Sequence, residues 1–188
     1  ARLPVDASDF SAIAALAERI DELGLGDRVR AQVGDMGDLR FPDGAFDVIW
    51  SEGAIFILGF ARGLAEWRDL LAPGGYLVVS EFCWLRDDPP ADLVAIFRDA
   101  CPDVGDVAAR REAVAASGYR LLGDFVLPAA GWWENYYVPL AEALIRFRAV
   151  HADEPEALAE ADRCQLEIDL YERYPEDFGY GFFVMRRP

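Results

Sequence analysis

The sequence contains no lysine, a single histidine and only three cysteines. Its 188 residues include 18 basic residues, all arginine, against 34 acidic ones, so the formal net charge is −16. Three cysteines without a CxxC pair and a single histidine argue against a disulfide framework and against a zinc or iron site. Because binding to a phosphate backbone needs a basic face, nucleic acids and anionic membrane surfaces are poor partners for this chain.

Long apolar segments are also missing. No stretch of about 18 apolar residues occurs, so we predict no transmembrane helix. The first ten residues lack the basic start and apolar core of a secretory signal, so we expect a soluble, cytoplasmic protein. The chain is nevertheless rich in core-forming residues, with 53% hydrophobic and 13% aromatic residues. Its length fits one domain of about 100–200 residues.

Short apolar segments alternate with helical patterns along the chain. The predicted strands cover residues 3–6, 29–34, 47–50, 76–82, 119–127 and 180–186. The predicted helices cover residues 8–23 (capped by Ser8 or Asp9), 60–71, 91–100, 107–117, 131–150 and 155–173. This alternation predicts one three-layer α/β domain over residues 1–188 with a mostly parallel sheet. Residues 128–178 separate the last two strands, and we predict that they form a helical cap within the domain.

Carboxylates stand at or just after the ends of predicted strands, where a doubly wound sheet binds its ligands. Asp6 could accept hydrogen bonds from a ribose diol or could cap the following helix, and its spacing does not decide between these roles. Asp35 could accept a hydrogen bond from an adenine amine while Met36 packs on the ring, although its position alone favours a solvated turn acid. Glu52 could reach the polar end of a ligand or could lie on the surface of a loop.

Three segments follow one another in a specific order: residues 5–8 (VDAS), 33–55 (VGDMGDLRFPDGAFDVIWSEGAI) and 70–81 (LLAPGGYLVVSE). Together they resemble class I S-adenosylmethionine-dependent methyltransferases, in particular the small-molecule group of the ubiquinone/menaquinone type. The resemblance covers residues 3–85. It implies transfer of a methyl group from S-adenosylmethionine to a small molecule by a Rossmann-like domain. It also implies that the last strand of the sheet is antiparallel.

The resemblance further implies six cofactor-binding residues. Asp6 would bind the ribose hydroxyls with Ala7 beside the adenine, Asp35 and Met36 would bind the adenine, and Ser51 and Glu52 would lie near the methionine moiety. Methyl transfer is a direct displacement, so it depends on in-line positioning and needs a base only when the acceptor loses a proton. Glu52 and Glu81 are the candidate bases, and His151, at a predicted helix end, is a weaker one.

Five aromatic residues form the candidate acceptor pocket: Trp84, Trp132, Trp133, Tyr136 and Tyr137. Aromatic faces can hold an apolar ring or a cationic amine. The same residues could instead anchor the helical cap on the sheet. Trp67, at helical spacing from Leu64, is expected in the core.

The first strand of the methyltransferase family and its GxGxG loop do not occur in this sequence. We therefore expect an N-terminally incomplete domain, with further residues upstream or with a partner chain, such as the second copy in a homodimer, beside the open strand edges. Buried backbone groups left unpaired there would cost about 1–3 kcal/mol each. The chain without that loop is expected to bind the cofactor weakly and to be inactive. Two alternatives remain: a non-catalytic nucleotide-binding or scaffold domain, and an NAD-type oxidoreductase, because Asp6 suits either cofactor.

Overall fold

The computed structural model describes residues 7–97 and 103–188, with side chains from residue 12 onward in the first range. The chain forms two units, residues 1–40 and residues 41–188. The predicted strand at residues 3–6, and Asp6 with it, lies outside the described residues. Among the described residues, no helix combines the length and the apolar character that a membrane crossing requires.

The first unit contains helix α1, Ala7–Glu22. The helix stops at Gly24, whose φ of 62° suits glycine, and the amide of Leu25 donates to the carbonyl of Ile20 at 2.9 Å. The predicted helix is therefore confirmed. The predicted caps are wrong, because Ser8 and Asp9 both lie inside the helix.

Residues 29–34 are irregular, so the strand predicted there is wrong. Val29 and Val33 are 42% and 52% exposed, although a buried parallel strand would cover both side chains. A strand is held by hydrogen bonds to a neighbouring strand, and none of the described strands pairs with this segment. Its β-branched residues alone do not make it a strand.

The second unit contains the sheet and the remaining helices. Its strands are β1 (Phe46–Ser51), β2 (Leu71–Trp84), β3 (Gly105–Asp106), β4 (Arg120–Val126) and β5 (Phe178–Arg186). Its helices are α2 (Phe60–Arg68), α3 (Ala91–Phe97), α4 (Val107–Ala116), α5 (Ala129–Trp132), α6 (Val138–Val150) and α7 (Pro155–Arg173). A π-helical turn, Trp133–Tyr137, joins α5 to α6.

The described strands lie in the order β1-β2-β5-β4, and β3 pairs with β2. β1 and β3 are parallel to β2, and β5 is antiparallel to both β2 and β4. β1 to β4 therefore run in one direction and β5 runs against them, which confirms the predicted α/β sheet with an antiparallel last strand. β2 is central, and its consecutive residues Leu77, Val78 and Val79 are buried, as expected for a strand covered on both faces.

Side-chain alternation along β5 separates the two faces of the sheet. On one face, Phe183 contacts Phe60 of α2, with ring centroids 5.7 Å apart. On the other face, Tyr180 contacts Trp132 of α5 at 5.1 Å. α2 ends at Arg68, three residues before the predicted end, and Leu71 opens β2 instead of closing the helix. Trp67 is buried in the core, as predicted.

Candidate functional site

A cavity of about 580 Å³ opens at the carboxyl ends of the parallel strands, within the second unit. Glu52 and Gly53 follow β1, Ser80 to Phe82 belong to β2, and Leu127 follows β4. Strand β5, the 3₁₀ turn Ile55–Ile57, the π-helical turn and the helices α3, α5 and α7 complete the lining. From these elements the cavity is lined by Phe56, Ile96, Phe97, Trp132, Tyr136, Tyr137, Arg163, Leu166, Glu167, Leu170, Phe178, Tyr180 and Phe182. This position is where an α/β sheet places its ligands.

Four aromatic residues form one wall of the cavity, here called the aromatic wall: Trp132, Tyr136, Tyr137 and Tyr180. The centroid of the Trp132 ring lies 5.1 Å from that of Tyr180, 5.5 Å from that of Tyr137 and 5.9 Å from that of Tyr136. The π-helical turn explains this grouping, because its wider turns pair residues five apart and so bring Tyr137 over Trp132. The two rings stack with an interplanar angle of 16°.

Glu167 of α7 lies against the aromatic wall and lines the cavity. The Tyr137 hydroxyl donates to its Oε1 at 3.3 Å, and the Tyr136 hydroxyl also donates to this carboxylate. Burial raises the pKa of Glu167, and the two hydroxyl donors oppose that rise. Burial and the nearby Glu167 together raise the pKa of Tyr137. The wall therefore carries a half-buried acid held by two phenols.

Glu167 was not among the residues predicted from the sequence. The available signal is its helical spacing, because Arg163, Glu167 and Leu170 lie on one face of α7 and all three line the cavity. Arg163 itself forms an ion pair with Glu160. From the sequence alone, a carboxylate on the same helix face as a leucine does not indicate a pocket. It does so only once the surface that packs against this face of α7 is known.

Glu81 is the most deeply buried acid of the cavity lining. Its Oε1 lies 3.8 Å from Nη2 of Arg110 in α4, and the two side chains are 6% and 10% exposed. Its Oε2 has no hydrogen-bond partner among the described residues. Burial raises the pKa of Glu81 to about 7, against the opposing effect of Arg110. Glu81 can therefore gain or lose a proton near neutral pH.

The contacts of Glu81 place its carboxylate on the sheet face away from the aromatic wall. Arg110 lies over the ring of Phe60, at 4.9 Å, and Phe60 packs on Phe183. Ser80, one residue earlier in β2, therefore projects toward the aromatic face. Its Oγ accepts a hydrogen bond from the amide of Gly53 at 2.9 Å, which ties the turn after β1 to β2.

Gly53 shapes the cavity beside this bond. Its φ of 56° is one that side chains rarely adopt, and a Cβ there would lie 3.3 Å from Cε1 of Tyr180. Glu52, just before it, is exposed and accepts a hydrogen bond from the Trp50 indole at 2.6 Å. The Oγ of Ser51 is buried, and none of the described residues forms a hydrogen bond with it. The end of β1 thus offers an acid and an unsatisfied hydroxyl.

The structure brings five of the predicted site residues to one cavity: Glu52, Glu81, Trp132, Tyr136 and Tyr137. Trp84 and Trp133 do not line it. The Trp84 ring packs against Phe82 at 5.6 Å, and the Trp133 ring packs against Tyr171 at 5.7 Å.

The remaining predicted residues lie elsewhere or outside the description. Asp35 and Met36 belong to the first unit, where Oδ1 of Asp35 accepts a hydrogen bond from the amide of Gly37 at 2.9 Å. Ala7 is the first residue of α1. His151 follows α6, with its Nδ1 3.0 Å from a carboxylate oxygen of Glu154, and it does not line the cavity.

Residues 5–79 match a family profile described as "Methyltransferase domain". The chain aligns with 94% of its length to a solved structure described as a SAM-dependent methyltransferase from Geobacter sulfurreducens in complex with S-adenosyl-L-homocysteine. It covers 71% of that chain at 22% identity, with a TM-score of 0.77. The chain has the class I methyltransferase fold. The methyltransferase fold implied by the resemblance in the sequence is thereby confirmed.

Two curated proteins that match this chain in sequence are named as methyltransferases. The chain is 34% identical over 87 residues to "Probable tocopherol O-methyltransferase, chloroplastic" of Oryza sativa subsp. japonica, covering 46% of this chain and 22% of the relative. It is 30% identical over 111 residues to "Sterol 24-C-methyltransferase" of Eremothecium gossypii, covering 55% of this chain and 30% of the relative. The chain therefore spans less than a third of the length of either relative.

Proposed function

We propose that this chain takes part in S-adenosylmethionine-dependent methyl transfer to a small molecule that binds in the cavity. The observation that carries the proposal is the aromatic cavity of about 580 Å³ at the carboxyl ends of the strands in a class I methyltransferase fold. Its size and apolar walls suit a small organic molecule. The net charge of −16 disfavours a polyanionic acceptor.

The cofactor would supply an electrophilic methyl group on a positively charged sulfur. The end of β1 fits its methionine end, because Ser51 offers a buried hydroxyl without a partner among the described residues and Glu52 offers an exposed carboxylate. We propose Asp6 and Ala7 for the ribose side and Asp35 with Met36 for the adenine. The match of residues 5–79 to the methyltransferase profile supports these assignments.

The protein's contribution to such a transfer is mainly positional. The aromatic wall would hold the acceptor and exclude water, so that its nucleophilic atom faces the methyl group in line. Glu52 is the proposed base for an acceptor that must lose a proton, because it lines the cavity and is exposed. Glu81 is the second proposed base, and its raised pKa suits proton exchange near neutrality, but its carboxylate faces Arg110 on the other side of the sheet, so Glu52 is the better placed of the two.

The organisation and setting of the protein belong to the same proposal. We propose a single domain over residues 1–188, with residues 128–178 acting as a cap over the acceptor; the described part of that segment is mostly helical. A cytoplasmic location and a homodimer are proposed from the sequence. Light scattering coupled to gel filtration tests the homodimer.

Calorimetric titration of the natural-length protein with S-adenosylhomocysteine tests the cofactor assignment. We expect saturable binding, and we expect Ser51→Ala to weaken it about fivefold, the effect of one lost hydrogen bond of about 1 kcal/mol. Ser117→Ala is the matched control, because that hydroxyl, just after α4, donates to the carbonyl of Ala113 in the helix. Absence of binding by the natural-length protein would refute the methyltransferase proposal and favour a scaffold domain.

A further inference from the structure

The aromatic wall and Glu167 form a single arrangement that goes beyond an apolar pocket. Neighbouring rings of the wall lie with centroids 5.0 to 5.9 Å apart. The carboxylate is held at one side of them by the hydroxyls of Tyr136 and Tyr137. The faces of indole and phenol rings are electron-rich and attract cations. The aromatic rings and the carboxylate of Glu167 therefore both favour a cationic ligand.

The carboxylate has no cationic partner among the described residues. Arg163, one turn earlier on α7, also lines the cavity, but it forms an ion pair with Glu160. Tyr136 and Tyr137 supply neutral donors only. A half-buried carboxylate without a counter-ion is unfavourable, as the raised pKa of Glu167 indicates, and a bound cation would relieve that cost.

The net charge of the cavity lining also favours a cationic ligand. Glu52 and Glu167 present their carboxylates to the cavity, against one arginine that is already paired, while the Glu81 carboxylate faces Arg110 on the other side of the sheet. A phosphate or carboxylate group on the acceptor would meet unpaired negative charge there. A neutral apolar acceptor would fill the rings but leave Glu167 without a counter-ion.

We propose that the acceptor carries a positively charged nitrogen, which the aromatic wall and Glu167 bind together. This inference rests on the proposed function of the cavity as the acceptor site. The charged nitrogen is the group that the protein recognises when it binds the acceptor, and Glu167 is the residue that determines specificity for that charge. Neither Glu167 nor a charge requirement follows from the class I methyltransferase fold, which accommodates many acceptors.

Two probes of the same shape test the proposal: choline and its uncharged carbon analogue 3,3-dimethylbutan-1-ol. Binding to the natural-length protein is measured by calorimetry or by tryptophan fluorescence. We expect choline to bind at least tenfold more tightly than the analogue, because only choline gains from the ring faces and the carboxylate. Equal affinities would overturn the proposal, whatever the behaviour of any variant.

Glu167→Gln locates the effect. The amide keeps the size of the side chain and still accepts from a tyrosine hydroxyl, so we expect a loss of about tenfold in choline affinity and no change for the analogue. Glu172→Gln is the matched control, since Glu172 is exposed on the same helix and does not line the cavity. Unchanged choline binding by folded Glu167→Gln would contradict the proposal.

Trp132→Phe provides a second variant if Glu167→Gln fails to fold. The smaller ring attracts cations less strongly, so choline affinity should fall by about threefold or more while the analogue is little affected. S-adenosylhomocysteine binding, measured on the same preparation, separates the two proposals. Cofactor binding without a preference for choline refutes the cationic acceptor alone, and a preference for choline without cofactor binding refutes methyl transfer alone.

Discussion

Glu81 is expected to make the protein less stable as the pH rises through neutrality. Burial raises the pKa of this carboxyl to about 7 from a reference value of 4.5, and Arg110 at 3.8 Å only partly offsets the burial. The folded state therefore holds a proton that the unfolded chain releases. A group with a raised pKa stabilises the fold fully below its unfolded pKa, and this stabilisation is lost as the pH rises through the folded pKa.

The magnitude follows from the two pKa values. At about 1.4 kcal/mol per pKa unit, the difference corresponds to a limiting contribution of about 3 kcal/mol. Between about pH 5 and pH 8.5 the linkage relation gives a loss of about 2–3 kcal/mol from this group. Burial also raises the pKa of Glu167, so the contribution of Glu81 must be isolated by difference from a variant.

Urea unfolding followed by tryptophan fluorescence at these two pH values measures the effect. In Glu81→Gln the loss of unfolding free energy between pH 5 and pH 8.5 should be smaller by about 2–3 kcal/mol, because the amide does not titrate. Glu112→Gln, an exposed site on the same helix as Arg110, should behave like the wild type. If the unfolding free energies of Glu81→Gln and the wild type depend on pH in the same way, burial does not raise the pKa of Glu81 in the folded protein.

Two further substitutions test the packing around the sheet. Gly63→Ala should lower the unfolding free energy by about 1–3 kcal/mol, because a Cβ there would lie 2.6 Å from Cγ1 of the fully buried Ile55; an unchanged melting temperature would show that the helix shifts to make room. Asp106→Ala should cost about 1 kcal/mol in urea unfolding, because its carboxylate accepts the Ala109 amide at 2.6 Å as the N-cap of α4. Asp106→Asn should keep most of that stability, and an equal loss in both variants would argue against the cap.

The sequence predicted the fold where local pattern and tertiary structure agree. The apolar run in β2 can only be buried between two layers, so its central place in the sheet could be inferred from residues 76–82 alone. The helices α4 and α7 were predicted to within one residue, because caps and periodicity are local properties. Residues 29–34 show the opposite case: their pattern suits a strand, but a strand exists only where a partner accepts its hydrogen bonds.

The candidate site also has features that the sequence predicted and features that only the tertiary structure decided. Acids at strand ends and the aromatic run 132–137 are visible in the sequence, and five of these residues line one cavity. Which carboxylate is buried, and against what, is decided by distant elements: α4 places Arg110 beside Glu81, and the π-helical turn brings Tyr137 to Glu167 on α7. A pKa depends on what surrounds a group in space. The sequence therefore determined most of the helices and strands. Only the tertiary structure decided the order of the strands in the sheet, which acids have a shifted pKa and which acid lies beside the aromatic rings.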